Sequence, residues 1–197
     1  MPHAIPMLRT DRLIIRPFVR EDLEKVYRLY DVELADASMG NAGPQALEGR
    51  RAWLEWTIQG YSQLAHLYQP PYGDRAIALA QTGELIGACG LVPCLDQYDR
   101  IPGLYATQGA PTGRASAEIG LFYGVSPAHQ GQGYATEATR ALIDYAFRAL
   151  RLARILATTS RDNTASIAVM RRLGMRIEQN PFPEPPWLQV VAWLQAP

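Results

Sequence analysis

Hydrophobic and polar positions along the chain follow two periods. "RLIIRPF" (12–18) reads as a first strand, ended by Pro17. "REDLEKVYRLY" (20–30) puts Leu23, Val26, Tyr27 and Tyr30 on one helix face, with Lys25 turned to solvent. "SMGNAGP" (38–44) is a loop. "QALEGRRAWLEWTIQGYSQLAHLY" (45–68) sets Trp53, Trp56, Gly60, Leu64 and Leu67 at helical spacing. That stripe predicts a core-facing Trp56, while Gly60 argues against one unbroken helix. "RAIALA" and "ELIGACGLV" are strands about the hairpin turn "QTGE". Residues 93–114, rich in Pro, Gly and polar side chains, form an extended loop of the length that is usually functional.

"SAEIGLFYGV" (116–125) is a strand, and a helix follows from Gly133 to about Ala149 with Ala135, Ala138, Leu142, Tyr145, Ala146 and Ala149 on one face. "ARILATTS" is a strand, and "NTASIAVMRRLG" is a short helix closed by Gly174. "MRIEQ" and "PWLQVVAWL" are the last two strands. The order is β-α-α-β-β-β-α-β-α-β-β. A helix between the strand at 116–125 and "ARILATTS" implies one parallel crossover in a largely antiparallel sheet. The fold class expected is α/β (α+β), a mixed sheet flanked by helices, in one domain over 1–197.

Composition narrows the chemistry. A chain of 197 residues, 48% hydrophobic and with no net charge, suits a globular protein and gives no sign of a nucleic-acid or acidic-membrane surface. No apolar run spans a bilayer and "MPHAIPMLRT" has no signal-peptide core, so a cytoplasmic protein is expected. Cys89 and Cys94 fit reduced thiols and lack neighbouring histidines, so no metal site is expected. Of the 19 basic residues, Lys25 alone is lysine. With no lysine near a glycine-rich loop a Walker A site is excluded, and pyridoxal phosphate would have to use Lys25.

"SPAHQGQGYATEA" (126–138) places Gly131, Gly133 and Ala135 where a helix begins. Small residues admit a ligand to the backbone, and the unpaired N–H groups of a helix start attract anions. One reading is a dinucleotide fingerprint, opposed by Thr136 at the third glycine position and by the absence of an acidic residue ending the next strand. A second is a turn whose glycines only relieve strain. The third rests on Gln130-x-x-Gly133-x-Ala135, which resembles the Q/R-x-x-G-x-G/A acyl-CoA signature of the GNAT superfamily of N-acetyltransferases. "AEIGLFYGVSPAHQGQGYATEA", "RDNTASIAVMRRLGM" and "LRTDRLIIRPFVREDLEKVYRL" resemble its RimJ/RimL-type branch in the same order.

The resemblance implies the GNAT fold and acetyl-CoA as co-substrate. It implies that the amides of Gly131, Gln132, Gly133, Tyr134 and Ala135 take the CoA pyrophosphate, with Gln130 and Gln132 as further donors. The backbone at Gly124 and Val125, with Asn163 and Ser166, would meet the pantetheine. Transfer to an amine needs a proton acceptor, because a lysine-like amine is neutral only roughly 0.04% of the time at pH 7. Glu118 is the candidate, the alternative being a carboxylate paired with an arginine; Glu137 is the rival. Ser166 would protonate the leaving thiolate, unless it is a surface serine, and Asn163 is also placed to cap its helix. His129 could titrate near neutrality or be an exposed loop residue. Trp56, Tyr72, Asp96, Tyr98 and Asp99 lie where an acceptor would bind. The acceptor, a small-molecule amine or a protein N-terminus, is not named by the residues, and a homodimer is possible. An inactive acyl-CoA sensor and an enzyme using longer acyl groups stay open.

Overall fold

The computed structural model describes residues 5–35, 43–70, 72–105 and 111–197. Their contacts group them into two units, Met1–Leu91 with Phe122–Leu142, and Val92–Leu121 with Ile143–Pro197. The expected loop at 38–44 lies mostly outside the described residues, as do positions 106–110 of the expected loop at 93–114.

In the first unit, β1 (Leu8–Arg9), β2 (Leu13–Pro17), β3 (Gly73–Leu79) and β4 (Leu85–Asp96) pair antiparallel in that order. Leu13 lies opposite Leu79, and Asp74 opposite Gly90. The "QTGE" turn closes β3 onto β4: Gly83 at φ +73° donates its amide to the Leu79 carbonyl at 2.9 Å. After β2, the buried Asp22 accepts from the Val19 amide at 3.0 Å and pairs with Arg16, setting the turn into α1 (Leu23–Tyr27). The helix widens over Arg28–Glu33, where the Leu34 amide reaches back five residues to the Leu29 carbonyl at 2.9 Å. Phe18, Leu23, Val26, Leu29, Tyr30, Leu54, Ala76 and Ala88 form this core.

Helix α2 (Leu47–His66) differs from its expected face. Arg50, Leu54 and Thr57 are buried, whereas Trp56 is 72% exposed. Arg50 donates to both carboxylate oxygens of Asp31, at 2.7 and 2.9 Å, and lies 4.7 Å from the Tyr30 ring centroid and 5.0 Å from that of Trp53. An arginine tolerates such burial only when paired and bonded. A charged residue on the core face breaks the apolar period, which is why the tryptophan stripe misplaced that face. Gly60 does not interrupt the helix, and a methyl group there would meet nothing within 4 Å.

In the second unit, β5 (Ser116–Val125) runs parallel to β6 (Arg154–Thr159), with Gly120 opposite Leu156. β8 (Val190–Gln195) pairs antiparallel with β6 and with β7 (Arg176–Gln179). The mixed sheet and its parallel crossover thus stand as expected. α4 (Thr164–Arg172) ends with the Gly174 amide on the Arg171 carbonyl and the Met175 amide on the Met170 carbonyl, with Gly174 at φ +77°. Those two bonds satisfy carbonyls that the helix leaves unpaired. β4 continues through Pro93 to Asp96, so the connection expected from Pro93 starts later. Within it Tyr98, Ile101 and Leu104 are buried with Leu156, Leu188, Val191 and Trp193. β8 starts at Val190 because Pro186–Leu188 makes a tight turn first.

Gly60→Ala is expected to raise stability by about 0.5–1 kcal/mol, since the alanine fits open space and relieves the entropic cost of a helical glycine. Urea unfolding of the two proteins measures it, and an unchanged or lower midpoint would contradict the open environment.

Candidate functional site

The sequence-predicted phosphate loop lies in the first unit. β5 ends at Val125, and the Ser126 amide donates to the Ile86 carbonyl of β4 at 2.8 Å. A single turn at Pro127–His129 follows, and the chain then enters α3 (Tyr134–Arg148). Gly131 and Gly133 both have positive φ, +74° and +83°. Any side chain at either position would be strained, so the turn alone already requires both glycines. Room for a ligand is a separate matter: a Cβ on Gly131 would meet nothing within 4 Å. The first bond of the helix runs from the Glu137 amide to the Gly133 carbonyl at 3.0 Å, so the amides of Gly133 through Thr136 precede any acceptor one turn back. Their partial positive charge favours negative charge beside this start of a 15-residue helix.

The two glutamines serve the loop itself. Gln130 folds back and donates to the Val125 carbonyl at 2.9 Å, which occupies the group expected to meet pantetheine. Gln132 donates to the Ala128 carbonyl at 3.4 Å. Gly124 is approached closely by β4, because a Cβ on Gly87 would come within 2.5 Å of the Gly124 carbonyl oxygen.

Sequence reasoning missed Arg12. From the start of β2 it donates to the Gln132 carbonyl at 3.1 Å, and its Nε to Glu137 at 2.7 Å. Its backbone amide adds a bond to Glu137 at 3.2 Å, and its guanidinium lies 4.4 Å from the Tyr134 ring centroid. Thr10 donates to the same carboxylate at 2.6 Å. The signal was present in "RTDRL", but it links positions more than 120 residues apart and no local pattern reveals it. Burial raises the Glu137 carboxyl, and the stronger combined effect of Thr10 and Arg12 holds it below the ordinary range. A carboxylate so engaged is a poor proton acceptor, which removes support from Glu137 as the rival base. His129 is partly buried rather than an exposed loop residue, 4.0 Å from Glu84.

Glu118, Asn163 and Ser166 lie in the second unit. Glu118 is buried and forms an ion pair with Arg154, whose Nε donates at 3.1 Å and whose Nη2 donates to the other carboxylate oxygen. The Tyr105 hydroxyl also donates to Glu118, and Arg154 stacks over the Tyr105 ring at 4.8 Å. The carboxylate therefore has the arginine partner that its structural alternative required. Asn163 caps α4, its side-chain oxygen accepting from the Ser166 amide at 3.0 Å, which leaves its amide nitrogen side for other partners. Asp96 accepts from Trp187 at 2.9 Å, Asp99 from the Thr112 amide at 2.6 Å, and the buried Tyr98 donates to Cys94 at 3.0 Å. Trp56 and Tyr72 belong to the first unit, Trp56 exposed on α2.

The chain matches the acetyltransferase (GNAT) domain family over residues 12–176. It is 30% identical over 174 residues to an uncharacterized N-acetyltransferase, YoaA, of Bacillus subtilis, covering 88% of this chain and 84% of that protein. It is 27% identical over 167 residues to the spermidine N(1)-acetyltransferase of Escherichia coli K12, covering 83% and 73%. Among solved structures, an acetyltransferase from Agrobacterium tumefaciens has a TM-score of 0.66 at 27% identity, covering 98% of this chain and 96% of that one.

The Glu137 interactions carry a pH signature. A carboxylate held below its unfolded range stabilises the fold above that range, and the contribution disappears as pH falls through the lowered value. The melting-temperature difference between wild type and Glu137→Gln is therefore expected to be largest at pH 7 and to vanish toward pH 3. A difference independent of pH would show that the ion pair contributes nothing.

Proposed function

The chain belongs to the GNAT acetyltransferase family, and on that premise we propose that it moves an acetyl group from acetyl-CoA to a primary amine. The acceptor is a protein N-terminus or a small amine, and the amine attacks the thioester directly. The observation that carries this reading is the entry into α3: two left-handed glycines, an uncrowded Gly131 and a run of helix-start amides next to the Gln132 carbonyl that Arg12 holds. These residues fit a pyrophosphate without metal or lysine, since backbone dipoles and one neighbouring guanidinium meet the charge.

On this proposal Gly131, Gln132, Gly133, Tyr134 and Ala135 bind phosphate through their amides. Gln130 and Val125 hold the loop to the end of β5. Asn163 offers its side-chain nitrogen to the pantetheine arm, and the Ser166 hydroxyl donates to the thiolate as it leaves. Three of the roughly four lone-pair positions of Glu118 are taken by Arg154 and Tyr105. The pairing therefore supports Glu118 as an anchor for β5, β6 and Tyr105, with the amine reacting from its neutral fraction once oriented and its surplus N–H proton passing through the Ser166 hydroxyl to the departing thiolate. The RimJ/RimL-type branch belongs to the same proposal and rests on the four sequence segments in order. A cytoplasmic location is proposed with it, supported by two free thiols, Cys89 and Cys94.

Acetyl-CoA at 100 times its dissociation constant is expected to raise the melting temperature by roughly 5–11 °C, where ATP and NAD do not. In Ala135→Glu, a glutamate in the first turn suits the helix dipole but fills the anion seat, so the shift is expected to disappear while the unliganded melt is retained. No shift in the wild type would remove the proposed function. Glu118→Gln is expected to keep the shape of the kcat/KM pH profile, as an anchor would; loss of the acidic limb would make Glu118 the proton acceptor.

A further inference from the structure

The second unit displays an apolar surface that buried polar groups hold in place. Between β7 and β8 the chain reads "NPFPEPPW" (180–187), and Pro181, Phe182, Pro183, Pro186 and Trp187 are all exposed, Trp187 at 60%. The backbone beneath them is fixed. The buried Gln189 side chain donates to the Phe182, Pro183 and Pro185 carbonyls at 3.3, 2.9 and 3.0 Å. The buried Asn180 side chain accepts from the Phe182 amide at 3.0 Å, and Arg161 donates to the Asn180 carbonyl at 2.7 Å. Two aromatic side chains are thereby kept in water, against the tendency of apolar surface to be buried. A contiguous apolar patch on a fixed backbone suits an interface, because little ordering is left to be lost on binding.

Two charges frame the patch. The Trp187 indole N–H donates to Asp96, at the end of β4, at 2.9 Å, and the other Asp96 oxygen accepts from the Gln97 amide at 2.7 Å. Arg100, in the turn Tyr98–Arg100, donates to the Glu184 carbonyl at 3.0 Å and lies 5.7 Å from the Phe182 ring centroid. Asp99 beside it spends one carboxylate oxygen on the Thr112 amide and hydroxyl, at 2.6 and 2.8 Å. Among the described residues neither Asp96 nor Arg100 forms an ion pair. The patch thus has an acidic end at Trp187 and a basic end at Phe182, with apolar surface between.

A surface with unlike charges at its two ends is complementary to itself when turned through half a circle. A two-fold contact has that property: residue i of one copy meets residue j of the other, and j meets i. A partner of one dominant charge would instead be attracted at one end and repelled at the other. We propose that this face joins two copies of the chain in a symmetric dimer. Asp96 of each protomer meets Arg100 of the partner subunit around a centre of Phe182, Trp187 and the exposed prolines. Tryptophan and arginine are the residues that most often carry the binding energy of such contacts, and the charge pairs set partner and orientation. The dimer does not depend on the acetyl-transfer reading.

Sedimentation velocity over a range of protein concentrations tests it, and the wild type is expected to dimerise. Asp96→Arg alone sets two guanidinium groups against each other at each end of the patch, and Arg100→Asp alone sets two carboxylates. Each is expected to raise the dimer dissociation constant by about tenfold or more. Mixed in equal amounts, the two variants restore both unlike pairs, so a heterodimer of near wild-type affinity is expected. Damage to either fold could not produce that rescue. Phe182→Lys keeps the backbone bonds to Asn180 and Gln189 and is expected to weaken the dimer as well. It decides the matter where circular dichroism shows a charge variant to be misfolded. A monomeric wild type, folded charge variants that dimerise as the wild type does, a mixture no tighter than its components, or an undisturbed Phe182→Lys dimer would each overturn the interface.

Discussion

The entry into α3 depends on Arg12. A helix start with free amides is under strain of its own making: two left-handed glycines, one on either side of Gln132, give the loop little stiffness, and parallel N–H dipoles repel one another. Arg12 and Thr10 counter both effects from outside the loop. They fix the Glu137 carboxylate beside the first turn, where its charge offsets the dipole, and they hold the Gln132 carbonyl between the glycines. The guanidinium stays half exposed, so it adds positive charge at the rim of the seat without filling it. An exposed ion pair of this kind contributes little to global stability. Its value is local, in keeping a flexible turn in one shape.

The chain's preference for arginine makes sense in this light. Arg12, Arg16, Arg50 and Arg154 each engage a carboxylate through more than one nitrogen or add a carbonyl or ring contact. A planar fork that stays charged when desolvated suits such positions, whereas an ammonium would satisfy one acceptor and lose its charge more readily on burial. The same residues hold together segments that are far apart in sequence: β2 with α3, the widened helix with α2, β5 with β6. The formal neutrality of the chain hides this, because opposite charges are paired with each other, in the core for Arg50 and Asp31 and at the surface for Arg12 and Glu137.

What could be read from the sequence follows how local each cause was. β5, α3, β6, α4 and the Gly174 cap lay within a residue or so of their expected bounds, because alternation, helical period and a left-handed glycine are properties of a few neighbours. Both loop glycines were legible for the same reason. The core face of α2 was not, since Arg50 belongs there only by virtue of Asp31, and apolar periodicity cannot count a charged residue as buried. Nor were the anchors within the Pro- and Gly-rich connection legible: Tyr98, Ile101 and Leu104 are spaced by neither 2 nor 3.6 and are recognised only once β6 and β8 supply their partners. Glu118 was found as a functional candidate, but its arginine sits 36 residues on and its role cannot be read from the strand alone.

The same distinction separates the two halves of the chemistry. A phosphate recognised by consecutive backbone amides needs one turn of chain, so its site is written in a contiguous motif. An acceptor recognised by side chains must be met from several elements at once, as the Arg12–Glu137 and Glu118–Arg154 pairs of this chain already are. No short pattern connects them. They become visible only once folding brings β2 to α3 and β5 to β6. Any site for an acceptor is to be sought in the same way, among side chains that only folding brings together.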